Sequence, residues 1–161
     1  MALLEDINPG TRERLIDLEC PTFPIPHWSP LPDLTSRIVS IVSSAGIHTR
    51  DTPAFRGGDG HYATIADKVP DYDVVMSHVS VNFDRTGFER DLESILPRRA
   101  LHKLADAGQI GAVAKNHYSF MGATDPREME AGARELGERM KAEGTDTVLL
   151  MWNKVSHDGG H

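Results

Sequence analysis

The stretch DVVMSHVSVNFDRTGFERDLESILP, residues 73–97, contains the pattern from which the fold is inferred. It opens with a short apolar run, Val74–Ser77, which is typical of a buried strand. The run breaks at His78 into a polar segment that holds Asn82, Asp84 and Arg85. A strand that ends in histidine and continues into an acid and a base is the pattern expected at the mouth of a site.

Two other apolar runs end in the same way. Residues 39–45 lead through Gly46 to His48, and residues 110–114 lead to His117, followed by Tyr118 and Ser119. Open α/β sheets bind ligands at the carboxyl ends of their parallel strands. We therefore expect His48, His78 and His117 to meet in one pocket, within about 10 Å of each other, the size of a small-ligand site.

The order of strands and helices predicts an α/β fold. It consists of three layers, with a mainly parallel sheet of at least four strands, flanking helices and a proline-rich N-terminal arm. The predicted strands lie near 38–45, 74–78, 110–114 and 147–152, and the helices span 97–107 and 126–142. Residues 46–72 show no clear period and are expected to form a long loop. Only nine residues follow the fourth strand, so we expect a partner surface beside it.

We expect a single α/β domain over residues 1–161, of which residues 1–36 form an N-terminal helix and an extended arm. Asn8 and Pro9 are typical of a helix N-terminus. Residues 20–33 contain five prolines, which exclude a helix or a central strand. The apolar residues between these prolines indicate an arm that packs on the domain or on a partner; they are Phe23, Ile25 and Trp28.

Composition excludes several classes of function. The chain of 161 residues has a net charge of −7, which disfavours nucleic acids and anionic membranes as partners. No apolar run approaches the roughly 18 residues of a membrane span. The acidic N-terminus lacks the features of a signal peptide. Cys20 is the only cysteine, so a reducing cytoplasm is the expected location.

The candidate catalytic residues are His48, His78, Asp84 and His117. The candidate substrate contacts are Arg85, Tyr118, Ser119 and Asn82. Histidine suits proton transfer near neutral pH, and an arginine fork suits a substrate carboxylate. The alternative is that each histidine is structural and bonds the backbone, and that Asp84 and Arg85 form a surface ion pair.

Imidazoles from several strand ends would also suit a divalent transition metal, with His48, His78 and His117 as ligands. The spacing does not match a known metal motif, and the terminal HDGGH is either a further contribution or a free tail. No nucleotide cofactor is expected, because neither GxGxxG after a strand nor a Walker loop occurs.

The sequence resembles the selenoprotein B family of glycine, sarcosine, betaine and D-proline reductases, and is closest to the small D-proline reductase subunits. The matching stretches cover about residues 24–151. They are PIPHWSPLP, VSIVSSAGIH, VVMSHVSVNFDR, ERDLESILPRRALHKLADAGQIGAVA, HYSFMGA and EGTDTVLL. The combination of VSHVSVNFDR with HYSFMG is the specific part.

The resemblance implies a loop after the last strand that carries selenocysteine or cysteine, which cleaves a C–N bond reductively. In this sequence the loop reads WNKVSH, with Lys154 in that region. A lysine cannot perform thiolate chemistry. The resemblance therefore supports the fold, a site at the sheet edge and a small polar substrate, and it argues against the family's reaction.

Three functions remain open. The first is an enzyme on the reductase scaffold that uses acid–base or metal-assisted chemistry on a small polar, amino acid-like or carboxylate substrate. The second is a non-catalytic subunit or ligand-binding module of a hetero-oligomeric complex. The third, a reductase that uses Cys20 or a partner's thiol, ranks last. A homo-oligomer is expected in either of the first two, or else a hetero-complex.

Overall fold

The structure is a computed structural model that describes residues 8–17, 33–80, 83 and 85–152. In chain order the helices are α1 (Pro9–Ile16), α2 (Thr86–Arg90), α3 (Arg98–Asp106) and α4 (Pro126–Ala142). The strands are β1 (Ile38–Ser43), β2 (Ile47–Thr49), β3 (Tyr62–Ala66), β4 (Val74–Met76), β5 (Ala112–Val113), β6 (Asn116–Phe120) and β7 (Thr147–Met151). The predicted α/β class is confirmed.

The main sheet is built around β1. This strand pairs in parallel with β5, β6 and β7, and β3 pairs antiparallel with β6. Val39 is opposite both Val113 and Thr147, so β5 and β7 lie on opposite edges of β1. The sheet is thus mainly parallel with one antiparallel outer strand, an arrangement that is common in α/β folds.

The predicted place of strand 74–78 in this sheet is wrong. β4 forms a separate two-stranded antiparallel sheet with β2, in which His48 is opposite Val75. Gly46 adopts φ 62, a conformation that favours glycine, and turns the chain out of β1 into β2. The apolar run of β4 is only three residues long, and a run this short does not specify its partner or its direction.

The predicted long loop over residues 46–72 is also wrong, because it contains β2 and β3. The third predicted strand, near 110–114, is divided. Only Ala112–Val113 form a strand there, β5, and the chain then resumes as β6 over residues that were expected to follow a strand. Strands of two to five residues carry too few alternations to be recognised from sequence.

Helices α3 and α4 pack on opposite faces of the sheet, which gives three layers. Leu101 of α3 belongs to a core that includes Val39 and Ile41 of β1. Leu136 and Met140 of α4 pack on the other face, against the aromatic rings of β6. Because neighbours along a strand point to opposite faces, β1 contributes to both cores.

The predicted helix boundaries are close to the observed ones. Asn8 caps α1 through Gly10 N, and Asp125 caps α4 through Arg127 N. Pro97, expected at the first helical position of α3, is instead its N-cap residue. Among the described residues, no helix is long and apolar enough to cross a membrane.

Candidate functional site

The chain segments that carry the predicted site meet around Gly46, at the carboxyl end of β1. Gly46 N donates to Phe120 O at 2.9 Å, and Ser77 N donates to Gly46 O at 3.0 Å. A Cβ atom on Gly46 would lie 2.8 Å from Met121 Cε and 3.3 Å from His78 Cα. The ends of β1, β4 and β6 therefore lie next to each other.

His48 lies inside β2, so it does not end the β1 strand as predicted. Its side chain is buried and packs edge-on against Phe55, with ring centroids 6.3 Å apart. The Nδ1 atom is 2.8 Å from Thr49 O, which requires that Nδ1 carry the proton and donate. In the neutral ring Nε2 is then the basic nitrogen.

His78 follows β4 as predicted and is buried under a ring. Its imidazole stacks on Phe83 with centroids 4.1 Å apart, and Nδ1 accepts from Ser80 N at 3.2 Å. Arg85 Nη2 donates to His78 O at 2.8 Å, so the cation is held beside this histidine. Burial lowers the pKa of His78, and the charge of Arg85 lowers it further.

His117 lies within β6 rather than after a strand, and it repairs a break in the sheet. The pairing of β1 shifts between Val39, opposite Val113, and Val42, opposite Tyr118, which leaves extra residues between β5 and β6. His117 Nδ1 accepts from Ile41 N at 3.1 Å in this gap. The imidazole nitrogen thus takes the place of a strand carbonyl as the acceptor for Ile41 N. Without it, a buried backbone N–H would have no acceptor, which destabilises a fold.

A polar cluster that the sequence did not reveal surrounds His117. Its Nε2 lies 3.2 Å from Asp67 Oδ1, and His102 Nε2 lies 3.0 Å from both Asp67 oxygens. Arg98, which is buried, donates to the carbonyl of Asp67 at 2.7 Å and to that of Val69 at 2.8 Å. Asp67 lies in the predicted loop, fifty residues before His117, so no local spacing could have linked them.

The folded-state pKa values of His78 and His117 predict how stability depends on pH. Burial lowers both below the ordinary value of 6.5, although Asp67 opposes the shift at His117. The unfolded chain then binds more protons than the folded chain as pH falls. The stabilisation is therefore complete above pH 6.5 and is lost as pH falls through the folded pKa values.

We expect urea titrations to give a free energy of unfolding that is lower at pH 5.5 than at pH 7.5 by about 1 kcal/mol. His78→Gln, which removes one of the two groups, should reduce this difference. A free energy that is the same or higher at pH 5.5 would contradict the assignment of both histidines as neutral buried groups.

Tyr118 and Ser119 are fully buried and point to opposite faces of the sheet. Ser119 shares the face of His117, and its Oγ accepts from Ile47 N at 3.0 Å, which joins β6 to β2. Tyr118 lies beneath α4 and donates to Glu143 Oε2 at 2.7 Å. The structure therefore does not bring these two predicted substrate contacts together.

Glu143 is the common hydrogen-bond acceptor of three side chains on the side of the sheet that α4 covers. It accepts from Tyr118, Asn116 and Arg139. Burial alone would raise the pKa of Glu143, but the hydrogen bonds from these donors outweigh it and hold the pKa at about 2. Burial and the bond to Glu143 raise the pKa of Tyr118 above its ordinary value. These residues therefore form an ion-paired network that is partly exposed and lies over the buried Tyr118 ring.

A cleft of about 280 Å³ opens between β3 and α4, on the Tyr118 face. Arg139, in its wall, donates to Thr64 Oγ1 at 3.1 Å and to Glu143 Oε1 at 2.8 Å. The cleft is lined by His61, Tyr62, Thr64, Gly132, Glu135 and Arg139. Of the predicted site residues that the structure describes, none lines this cleft.

Several predicted residues lie outside the described part of the chain. They are Asn82, Asp84, Cys20, Lys154, His157 and His161, together with the arm residues Phe23, Ile25 and Trp28. Among the residues that are described, no three His, Cys, Asp or Glu side chains form a group that could hold a metal ion. The metal prediction for His48, His78 and His117 thus has no support from the geometry.

A mainly parallel sheet with helices on both faces defines the class of open-sheet α/β proteins. The model of one family matches residues 15–152, and its description is glycine/sarcosine/betaine reductase selenoprotein B. The chain belongs to this family. The resemblance noted from its motifs is confirmed.

A relative in Acetoanaerobium sticklandii is named D-proline reductase subunit gamma. It is 28% identical over 138 residues, which are 83% of this chain and 56% of the relative. The chain thus spans little more than half of that relative's length. No solved structure matches the chain.

Proposed function

We propose that this chain is a ligand-binding subunit of a multi-subunit reductase, without thiol or selenol chemistry of its own. Its family consists of reductase components, and the relative in Acetoanaerobium sticklandii is named a subunit. Cys20 is the only cysteine, and its nearest basic residue along the chain is Arg14, six positions before it, whereas a reactive thiolate is stabilised by an adjacent cation. In this proposal the complex is cytoplasmic, and other chains supply the redox group.

The observation that carries this proposal is the hydrogen bonding of the three imidazole rings. Each commits Nδ1 to a backbone group: His48 to Thr49 O, His78 to Ser80 N and His117 to Ile41 N. His117 has both nitrogens engaged and no exposed surface. His117 therefore fixes the shape of the sheet edge and is poorly placed to exchange protons with a substrate.

The proposed ligand is a small amino acid or carboxylate, and Arg85 is its anchor. Arg85 is exposed and spends one donor on His78 O, from a guanidinium that has five. A guanidinium fixed by a backbone carbonyl can bind a carboxylate with its remaining donors. Glycine, sarcosine, betaine and D-proline, the compounds named for the family and the relative, are the first probes.

We expect Arg85→Gln to weaken binding of the best of these four compounds by at least about tenfold, measured by isothermal titration calorimetry. Arg50→Gln is the matched control. Arg50 also donates from an exposed guanidinium to a backbone carbonyl, Tyr72 O at 3.1 Å, near the same small sheet, and its loss should leave affinity unchanged. Equal affinities for the Arg85 variant and the wild type, or no binding of any of the four, would refute this site.

One observation favours a second candidate, an acid–base enzyme. The bond from His48 Nδ1 to Thr49 O leaves Nε2 as a base, an arrangement that orients many catalytic histidines. Such a base would remove the α-proton of glycine. In this case we expect deuterium from D₂O to replace hydrogen at the glycine α-carbon, which NMR measures. The exchange should stop in His48→Phe. If wild-type protein gives no exchange above buffer, the binding subunit is the better description.

A further inference from the structure

We propose that the cleft between β3 and α4 is a second ligand site, which binds a small α-amino acid through its ammonium and its carboxylate together. Glu135 is the acceptor for the ammonium, and Arg139 is the donor to the carboxylate. Arg85 does not line this cleft, so the inference does not depend on the site proposed around Arg85. It rests on two unpaired opposite charges, a polar wall that fixes them, and the size of the space between the walls.

The first feature is the pair of opposite charges on α4. Glu135 and Arg139 lie one turn apart on this helix, and both line the cleft. Side chains at this spacing are neighbours and can form an ion pair. Here Glu135 forms no ion pair with a described residue, and Arg139 pairs with Glu143 at 2.8 Å instead. The cleft therefore presents a carboxylate and a guanidinium that do not neutralise each other.

The second feature is the wall that β3 provides. Tyr62 and Thr64 alternate along this strand, so their side chains lie on one face of it, toward α4. The Tyr62 hydroxyl donates to Glu135 Oε1 at 3.1 Å, and Arg139 Nη1 donates to Thr64 Oγ1 at 3.1 Å. Each charge on α4 is thus fixed to a different hydroxyl of the strand.

Both charged groups keep hydrogen-bonding capacity for a ligand. A guanidinium has five N–H donors, of which Arg139 directs one to Thr64 and one to Glu143. Tyr62 is also within its reach, so at least two donors remain, enough for one carboxylate. Glu135 accepts from Tyr62, and no second donor in the described part of the chain reaches it. Groups that are already fixed bind a ligand with little further loss of conformational entropy.

The end of the cleft is formed where α4 approaches the turn before β3. A Cβ atom on Gly132 would lie 2.4 Å from Gly60 O, so the two backbones are in contact. His61, the next residue, lines the cleft, and its ring stacks on Phe55 with centroids 5.2 Å apart. The strand, the helix and this turn therefore enclose the space on three sides.

The third feature is the size of the cleft, which together with its charges indicates the ligand. A volume of about 280 Å³ is at the lower end for small-ligand pockets and suits a molecule of amino acid size. A simple anion would lie beside Glu135 and Glu143, and a simple cation beside Arg139, and like charges in contact are unfavourable. Cβ atoms four residues apart on a helix are separated by about 5–6 Å. A ligand with both charges on one carbon atom can therefore meet each charged side chain with its opposite.

A titration with glycine, followed by ¹H–¹⁵N NMR, tests this site. Glycine is the probe because it has no side chain that a wall could exclude. Titration to about 50 mM fills a site with a millimolar dissociation constant. We expect saturable shifts of the backbone amides of Tyr62, Thr64 and Gly132. Acetate and methylammonium, which each carry only one of the two charges, should bind at least about tenfold more weakly.

Glu135→Gln keeps an oxygen for the Tyr62 hydroxyl but removes the charge. It should weaken glycine binding at the cleft by at least about tenfold. Glu138→Gln is the matched control on the same helix. The Glu138 side chain is 78% exposed, pairs with Lys141 and does not line the cleft, so its loss should leave the affinity for glycine unchanged.

The position of the shifts separates this site from the one around Arg85. The amides of Gly46 and His78 report on the Arg85 site, and shifts confined to them would overturn the cleft proposal. Shifts confined to the cleft would support it whatever the fate of the Arg85 site. The absence of saturable shifts in the cleft, acetate binding as tightly as glycine, or equal affinities in Glu135→Gln and Glu138→Gln would each overturn the proposal.

Discussion

His117→Phe is expected to lower the free energy of unfolding by about 2 to 4 kcal/mol. The phenyl ring fills a similar volume but cannot accept the hydrogen bond from Ile41 N, in the gap where β1 has no strand carbonyl. A buried, unpaired N–H costs about 1 to 3 kcal/mol. The same change removes the contact of Nε2 with Asp67, whose side chain is only 9% exposed.

His102→Phe is the matched control for His117→Phe. His102 contacts the same carboxylate, but its side chain is 49% exposed, so its loss should cost under about 1 kcal/mol. Urea unfolding at pH 7.5 measures both, and His117→Gln, which keeps an acceptor, should recover part of the loss. Equal losses in the free energy of unfolding for His117→Phe and His102→Phe would contradict the role of His117 as the acceptor for Ile41 N.

Arg98→Met is expected to cost about 3 kcal/mol or more. The Arg98 side chain is 7% exposed, and its guanidinium serves the carbonyls of Ala66, Asp67 and Val69. It also pairs with Asp71, but this carboxylate is half exposed, so the pair adds little in water. Most of the loss therefore arises from backbone acceptors that methionine cannot satisfy.

Arg99→Met provides the comparison on the same helix. Arg99 pairs with Asp71, Asp91 and Glu93, but its side chain is 61% exposed. Despite its larger number of ion pairs, we expect a change under about 1 kcal/mol, again from urea unfolding. A larger loss for Arg99→Met than for Arg98→Met would show that surface charges, and not the satisfied carbonyls, stabilise the turn after β3.

The features that local sequence determines were predicted well. The cap at Asp125, the proline after it and the apolar period of α4 define a helix whose observed range, Pro126–Ala142, matches the predicted one. Gly108 and Gly144 follow α3 and α4 with positive φ, as helix-terminating glycines do. The apolar runs of β1 and β7 also identified two parallel strands of the main sheet.

The arrangement of the polar residues was decided by pairing between distant parts of the chain. His48, His78 and His117 look alike in the sequence, each beside an apolar run. In the fold His48 lies in a small antiparallel sheet, and His117 fills a gap between β5 and β6. Asp67 and Arg98 have no motif that marks them, and their importance follows only from the carbonyls and imidazoles that the fold places around them.

By itself the sequence determined the family, the α/β class and the helix ends, because caps, periodicity and motifs depend on residues within a few positions of each other. Only the tertiary structure decided which strands are neighbours, which face a side chain takes and which nitrogen of each histidine is engaged. Those properties depend on hydrogen bonds between residues far apart in sequence, such as Ile41 and His117. A one-residue shift of a strand reverses the face of every side chain on it, and two- or three-residue strands carry no local signal that fixes this choice.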